Sequence, residues 1–164
     1  MPEHEVLERL PEGWHHQWLL TWQDVTDVNT MSRSVICAVL PLCGTDFTLR
    51  VGFPFADPDL GSIAFPANLN SFVFDYISRQ MIGGTHLSDY ILKQLPVLAP
   101  ARYSANAEWT SGGSVAEWLV PRVLELTYTA GDLTPFAKDR GYDGPPFCWD
   151  DDRRFRIRCE LDAA

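Results

Sequence analysis

The sequence predicts an α+β fold, a small mixed β-sheet packed against helices with a mainly helical carboxyl-terminal extension. Three observations lead there. Between Trp14 and Val51, aromatic and β-branched residues gather in short runs punctuated by Pro and Gly. From Leu69 the apolar spacing turns helical, and from Val115 helical signals dominate. The expected organisation is therefore an α+β region over 1–114 and a helical segment over 115–164 that packs on it or on a neighbour. At 164 residues, folding buries about 70% of the surface of the extended chain, enough for a self-supporting core. With 46% apolar and 21% charged residues, six Trp and nine Phe, the composition is that of a globular domain.

Residues 1–12, acidic and punctuated by Pro, read as a surface helix or a loose arm. Trp14, Trp18 and Trp22 are spaced for a helix, while His16, Trp18, Leu20 and Trp22 alternate as in a strand. The strand is favoured because a second β-branched run, "SRSVICAVLP", follows and stops at Pro41. Gly44, Thr45 and Asp46 supply a turn, and Phe47, Leu49 and Val51 alternate as a third strand. Leu69, Phe72, Val73, Tyr76 and Ile77 then form the stripe of a helix packed on one face, with Pro66 as its start signal. Gly83-Gly84 stops it, Ser88 caps a short helix through Gln94, and Pro96 ends that one. "PVLAP" reads as extended and the stretch to Ser114 as loop. Further on, Pro121 suits the first position of a helix carrying Val123, Leu124 and Tyr128. Thr134-Pro135 opens another short helix, and Gly141 follows it as a left-handed stop. Asp150 to Asp152 favour a final helix with Phe155, Cys159, Ile157 and Leu161 on its apolar face, although those four also alternate as in a strand.

Charge and motifs exclude several functions. A formal charge of −9 argues against a chain that coats nucleic acid by charge alone. Cys37, Cys43, Cys148 and Cys159 form no CxxC pair, and His15-His16 lacks zinc spacing, so reduced thiols in a cytoplasmic protein are expected. No apolar run approaches the roughly 20 residues of a membrane span, so no membrane partner is expected. GxSxG, P-loop, GxGxxG and HExxH are all missing. What is left is Gly83-Gly84-Thr85-His86, which reads either as an ordinary tight turn or as a loop whose backbone approaches a ligand closely. Arg33, Arg50, Arg79 and Lys93 are the cations of the strand region and the helix-loop-helix, solvated individually or sharing a face that steers a polyanion. Arg153, Arg154, Arg156 and Arg158 stand among acids, as on a salt-bridged exposed face.

"NLNSFVFDYISRQ", "GGTH" and "LKQLPVLAP" together resemble the target-recognition domains of restriction-modification proteins. These are the specificity subunits of type I systems and the carboxyl-terminal specificity regions of large type II adenine-N6 DNA methyltransferases. "WLLTWQDVTDVNTMSRSVICAVLP" and "LELTYTAGDLTPFAKDRGYDGPPFCWDDDRRFRIRCELDAA" are similar to the flanking segments of the latter, so the likeness runs from about Trp18 to Ala164. The resemblance implies a reader of double-stranded DNA that is not catalytic itself. In it Gly83, Gly84, Thr85 and His86 form the reading loop, and Arg33, Arg50 and Lys93 anchor phosphates. It further implies that S-adenosylmethionine binds to a catalytic domain of the same or a partner chain, with no cofactor here. A protein-interaction or assembly module without DNA contact is the alternative.

Overall fold

A computed structural model describes residues 3–54 and 56–164. It bears out the α+β class: three strands and eight α-helices among the described residues. The short acidic helix α1 (Glu3–Leu7) precedes strands β1 (Trp18–Gln23), β2 (Cys37–Pro41) and β3 (Leu49–Gly52). The expected mixed sheet is corrected. Strand order is β2-β1-β3 and both pairings are antiparallel: β2 returns along one edge of β1, and the chain then crosses over to place β3 along the other edge, so the two parallel strands never pair. Leu20 pairs with Val39 on one side and Gly52 on the other. Gly52 has no room for a side chain, since a Cβ there would stand 2.8 Å from the Trp22 ring.

Two helices occupy the place of one expected helix. Helix α2 (Pro58–Leu69) is capped by Asp57, whose side chain accepts from Leu60 N–H at 2.8 Å, and carries Pro66 inside it. Helix α3 (Phe72–Met81) starts afresh at Ser71, which accepts from Phe74 N–H at 3.1 Å. Pro66 is thus no start signal. Asp57-Pro58 is the real one, the cap followed by a proline whose missing N–H costs nothing at the first turn.

Of the expected stripe, Leu69 is buried at the end of α2 and Ile77 packs on the core, but the stripe residues between them turn outward. Phe72, Val73 and Tyr76 are each more than half exposed, while Phe74, Asp75 and Ser78 are buried. Beside the core residue Phe74, the inner face carries polar groups that hold the 28–34 loop: the Asp75 carboxylate accepts from Ser34 N–H at 2.6 Å, Ser34 hydroxyl at 2.8 Å and Arg79 at 2.9 Å. Arg79 in turn donates to the carbonyls of Val28 and Met31. Arg79 is therefore an internal brace for the 28–34 loop and no surface anchor.

Helix α4 (Asp89–Leu92) is capped by Ser88 as expected, and a short α5 (Pro100–Tyr103) lies inside the expected loop. Helix α6 (Val115–Thr127) begins at a capping box of Ser114 and Glu117, so Pro121 sits within it and not at its start. Helix α7 (Thr134–Asp139) is followed by Gly141 at φ 75°, the left-handed stop expected. The last segment is helix α8 (Asp151–Ala163), capped by Asp150. Of its expected apolar face Ile157 is fully buried and Leu161 packs on the core, whereas Phe155 and Cys159 are exposed.

One core joins both regions. Trp18, Leu20 and Val39 of the sheet pack with Ile63 and Leu69 of α2, Leu119 and Val123 of α6, and Phe136 of α7. No helix among the described residues is long and apolar enough to cross a membrane. All four cysteines are free, and Cys37 alone is buried. Burial pushes its thiol up to about 12. Titration of native protein with a thiol-reactive disulfide such as DTNB at pH 8 will therefore consume three thiols quickly, with the fourth released only on unfolding. Fast reaction of all four would show that β2 opens.

Candidate functional site

Beyond Gln23 the chain of β1 continues as a polar extension, and Asp24 becomes the centre of the candidate site. Its backbone N–H donates to Thr48 carbonyl at 2.8 Å, and its carbonyl accepts from Leu87 N–H at 2.7 Å. Thr26 N–H donates to Thr85 carbonyl at 2.9 Å, and Val25 forms a bridge with His86. The 83–87 loop is thereby fastened to the sheet like a fourth, one-rung strand. Backbone is fixed while the Thr85 and His86 side chains are exposed.

The Asp24 carboxylate is buried and accepts from Arg50 at 2.8 Å, with His86 Nδ1 at 3.6 Å from the same oxygen. Its other oxygen has no hydrogen-bond partner among the described residues; nor have Trp22 Nε1 and Thr26 Oγ1. Residues 22, 24 and 26 alternate on one side of the strand, so these three atoms form a strip of unused donors and acceptors beneath the loop.

Alongside runs an open groove of about 500 Å³ between β3 and α4, lined by Trp22, Phe47, Arg50 and Lys93 together with Asp46 and Asp89. Two cations and two carboxylates share it, so its local charge is balanced. Phe47, expected as a strand residue, lies outside β3 and is almost bare.

The structure thus brings together Arg50, Gly83, Gly84, Thr85, His86 and, across the groove, Lys93. Arg33 does not join them. It donates to the carbonyls of Asn70 and Ser71 at the α2–α3 junction and stacks on Phe72 at 4.9 Å, so it is a helix-junction clamp facing a different pocket. The glycines also behave otherwise than expected. Neither Gly83 nor Gly84 has positive φ, and a Cβ at either would meet nothing within 4 Å. Any need for glycine there lies in the loop's surroundings and not in its backbone conformation. Asp24, which organises Arg50 and His86, was missed, since no sequence spacing connects positions 24, 50 and 86. Among the described residues no group of His, Cys, Asp or Glu is placed to hold a metal ion.

Comparison of the chain with protein-family models, curated proteins and solved structures finds no match.

Proposed function

We propose that this chain is the DNA target-recognition portion of a site-specific adenine-N6 DNA methyltransferase or restriction-modification enzyme. It acts in the cytoplasm, performs no bond chemistry itself, and works beside a catalytic domain that binds S-adenosylmethionine. The supporting observation is the loop at residues 83–87, with backbone pinned to the sheet and two hydrogen-bonding side chains turned outward. A fixed backbone with exposed Thr and His offers groups to base edges at little entropic cost. Arg50 and Lys93 flank the loop as phosphate anchors. With a balanced groove and a net charge of −9, the isolated chain binds duplex weakly, in the ~10⁻⁴ to 10⁻⁶ M range, and loses affinity as salt rises.

Fluorescence titration with site-containing and random duplexes at two salt concentrations tests this. Thr85→Ala and His86→Ala are expected to narrow the preference for the site, and Lys93→Ala to weaken both duplexes alike, lowering the salt slope by about one. Gly84→Ala, free of steric cost, leaves thermal stability unchanged or slightly raised. Unchanged site preference in both loop variants would remove the reading role.

A second reading rests on α3. Phe72, Val73 and Tyr76 make an outward apolar strip on a helix whose inner face is satisfied by polar contacts. That strip suits docking on a protein neighbour, as in an assembly module without DNA contact. It is favoured if no duplex binds at low salt.

A further inference from the structure

A second concavity, of about 450 Å³, opens where the edge of β2 meets the ends of α2 and α6 and the flank of α8. That volume lies within the roughly 300–1,000 Å³ typical of small-molecule sites. Val39, Ala67, Val123 and Leu161 give it an apolar lining, and Arg33, Arg154 and Arg158 face it against one carboxylate, Asp162. Such a gathering is unusual in a chain with 13 basic and 22 acidic residues.

The three arginines are not equally occupied. Arg33 is committed to the α2–α3 junction. Arg154 stacks over Trp149 at 3.8 Å and donates through Nη2 to Leu126 carbonyl at 3.0 Å, while its buried Nη1 has no partner among the described residues. Arg158, one turn further along α8, makes no hydrogen bond or ion pair among the described residues. Like charges at i and i+4 repel, and here burial and then the Arg158 charge both act against the Arg154 cation. Asp162 forms no ion pair with either arginine among the described residues, and its carboxylate accepts from Phe72 N–H at 2.7 Å. An anion between Arg154 and Arg158 would remove the repulsion and fill the open donor.

We propose that this pocket binds a small organic monocarboxylate, its carboxylate between Arg154 and Arg158 and its apolar body along Val39, Ala67 and Val123. A carboxylate matches the guanidinium fork, and the nearby Asp162 selects against a doubly charged group such as phosphate. This site is independent of the DNA reading, since it shares no lining residue with the groove beside the 83–87 loop.

Isothermal titration and thermal-shift measurements on the whole chain test it, with decanoate kept below its micelle-forming concentration and with decanol and inorganic phosphate as controls. Decanoate is expected to bind one to one and raise Tm, and the controls to do neither. Arg154→Gln and Arg158→Gln each weaken decanoate by about tenfold or more. Arg158 is exposed, so its variant folds even if that of Arg154 does not. Equal binding of decanol, tighter binding of phosphate, or undiminished affinity in Arg158→Gln overturns the proposal. So does self-association of the free chain that Arg158→Gln abolishes, which would assign this face to a second copy.

Discussion

Replacing Asp75 by Ala is expected to remove about 3–5 kcal/mol of stability, the cost of stranding buried partners of a charge. Five groups converge on that carboxylate: Ser34 N–H, Ser34 hydroxyl, Val35 N–H at 3.4 Å, the Arg79 guanidinium at 2.9 Å and, at 3.9 Å, the Arg33 guanidinium. The variant leaves Ser34 N–H buried without an acceptor and the Arg79 charge with only the carbonyls of Val28 and Met31, and the 28–34 loop loses its brace. At roughly 2–4 °C per kcal/mol for a chain of this size, Tm falls by about 6–20 °C. pH supplies a check of sign. Burial pushes the Asp75 carboxyl upward, but the hydrogen bonds from Arg79 and Ser34 and the Arg33 charge outweigh it, so its folded pKa lies below the ordinary value. A lowered folded pKa gives stability that is present above about pH 4 and is lost as pH falls through the folded value. Urea denaturation of wild type and Asp75→Asn should therefore differ most near neutrality and converge in acid. A constant difference from pH 7 to pH 3 would mean that the charge is not what holds the loop.

The same residue explains where sequence reading succeeded and failed. Strand β2 was legible because Cys37 and Val39 alternate inward, and β1, which buries Trp18 to Thr21 without alternation, was legible as an aromatic run preceding it. Helix α7 and its Gly141 stop were legible because capping chemistry is local. The inner face of α3 was not, since a periodicity argument assumes that apolar residues go inward, and here a buried Asp accepts from Ser34 N–H and a buried Ser meets the Ser34 hydroxyl, both partners far back in the chain. Pro66 and Pro121 misled for a related reason. A proline inside a helix costs about 3 kcal/mol in isolation, and tertiary packing of Leu69 and Val123 outweighs it. The true starts, Asp57-Pro58 and Ser114 with Glu117, were in the sequence as ordinary capping signals. Of the candidate site, the Thr85-His86 loop was legible as exposed polar groups after two glycines. Its attachment to the sheet through Asp24 and Thr26 was not, because backbone pairing carries no side-chain signature. Arg33 and Arg50 looked alike as isolated cations, and only the fold separates a helix-junction clamp from a groove residue.

Phe136→Ala is expected to destabilise the whole chain by about 3–5 kcal/mol, as aromatic truncations in a closed core do. Phe136 is fully buried and meets the fully buried Trp18 edge-on at 5.5 Å, so one contact ties α7 to β1. A polar contact runs parallel to it, in which Trp18 Nε1 donates to Asp139 at 2.7 Å and His16 Nδ1 reaches the same oxygen at 2.7 Å. Packing of α2 against α6 adds a second seam between residues before and after position 114. With typical domain stabilities of only about 5–15 kcal/mol, a loss of this size is a large fraction of the total. Because the seam belongs to the common core, the loss must appear in both regions at once. Hydrogen exchange followed by mass spectrometry, read separately over β1–β2 and over α6–α8, should give coincident urea transitions in wild type and an equal shift in the variant. Separate midpoints, with α6–α8 alone displaced, would mean that 115–164 folds as a unit of its own, its contact with Trp18 being mere docking.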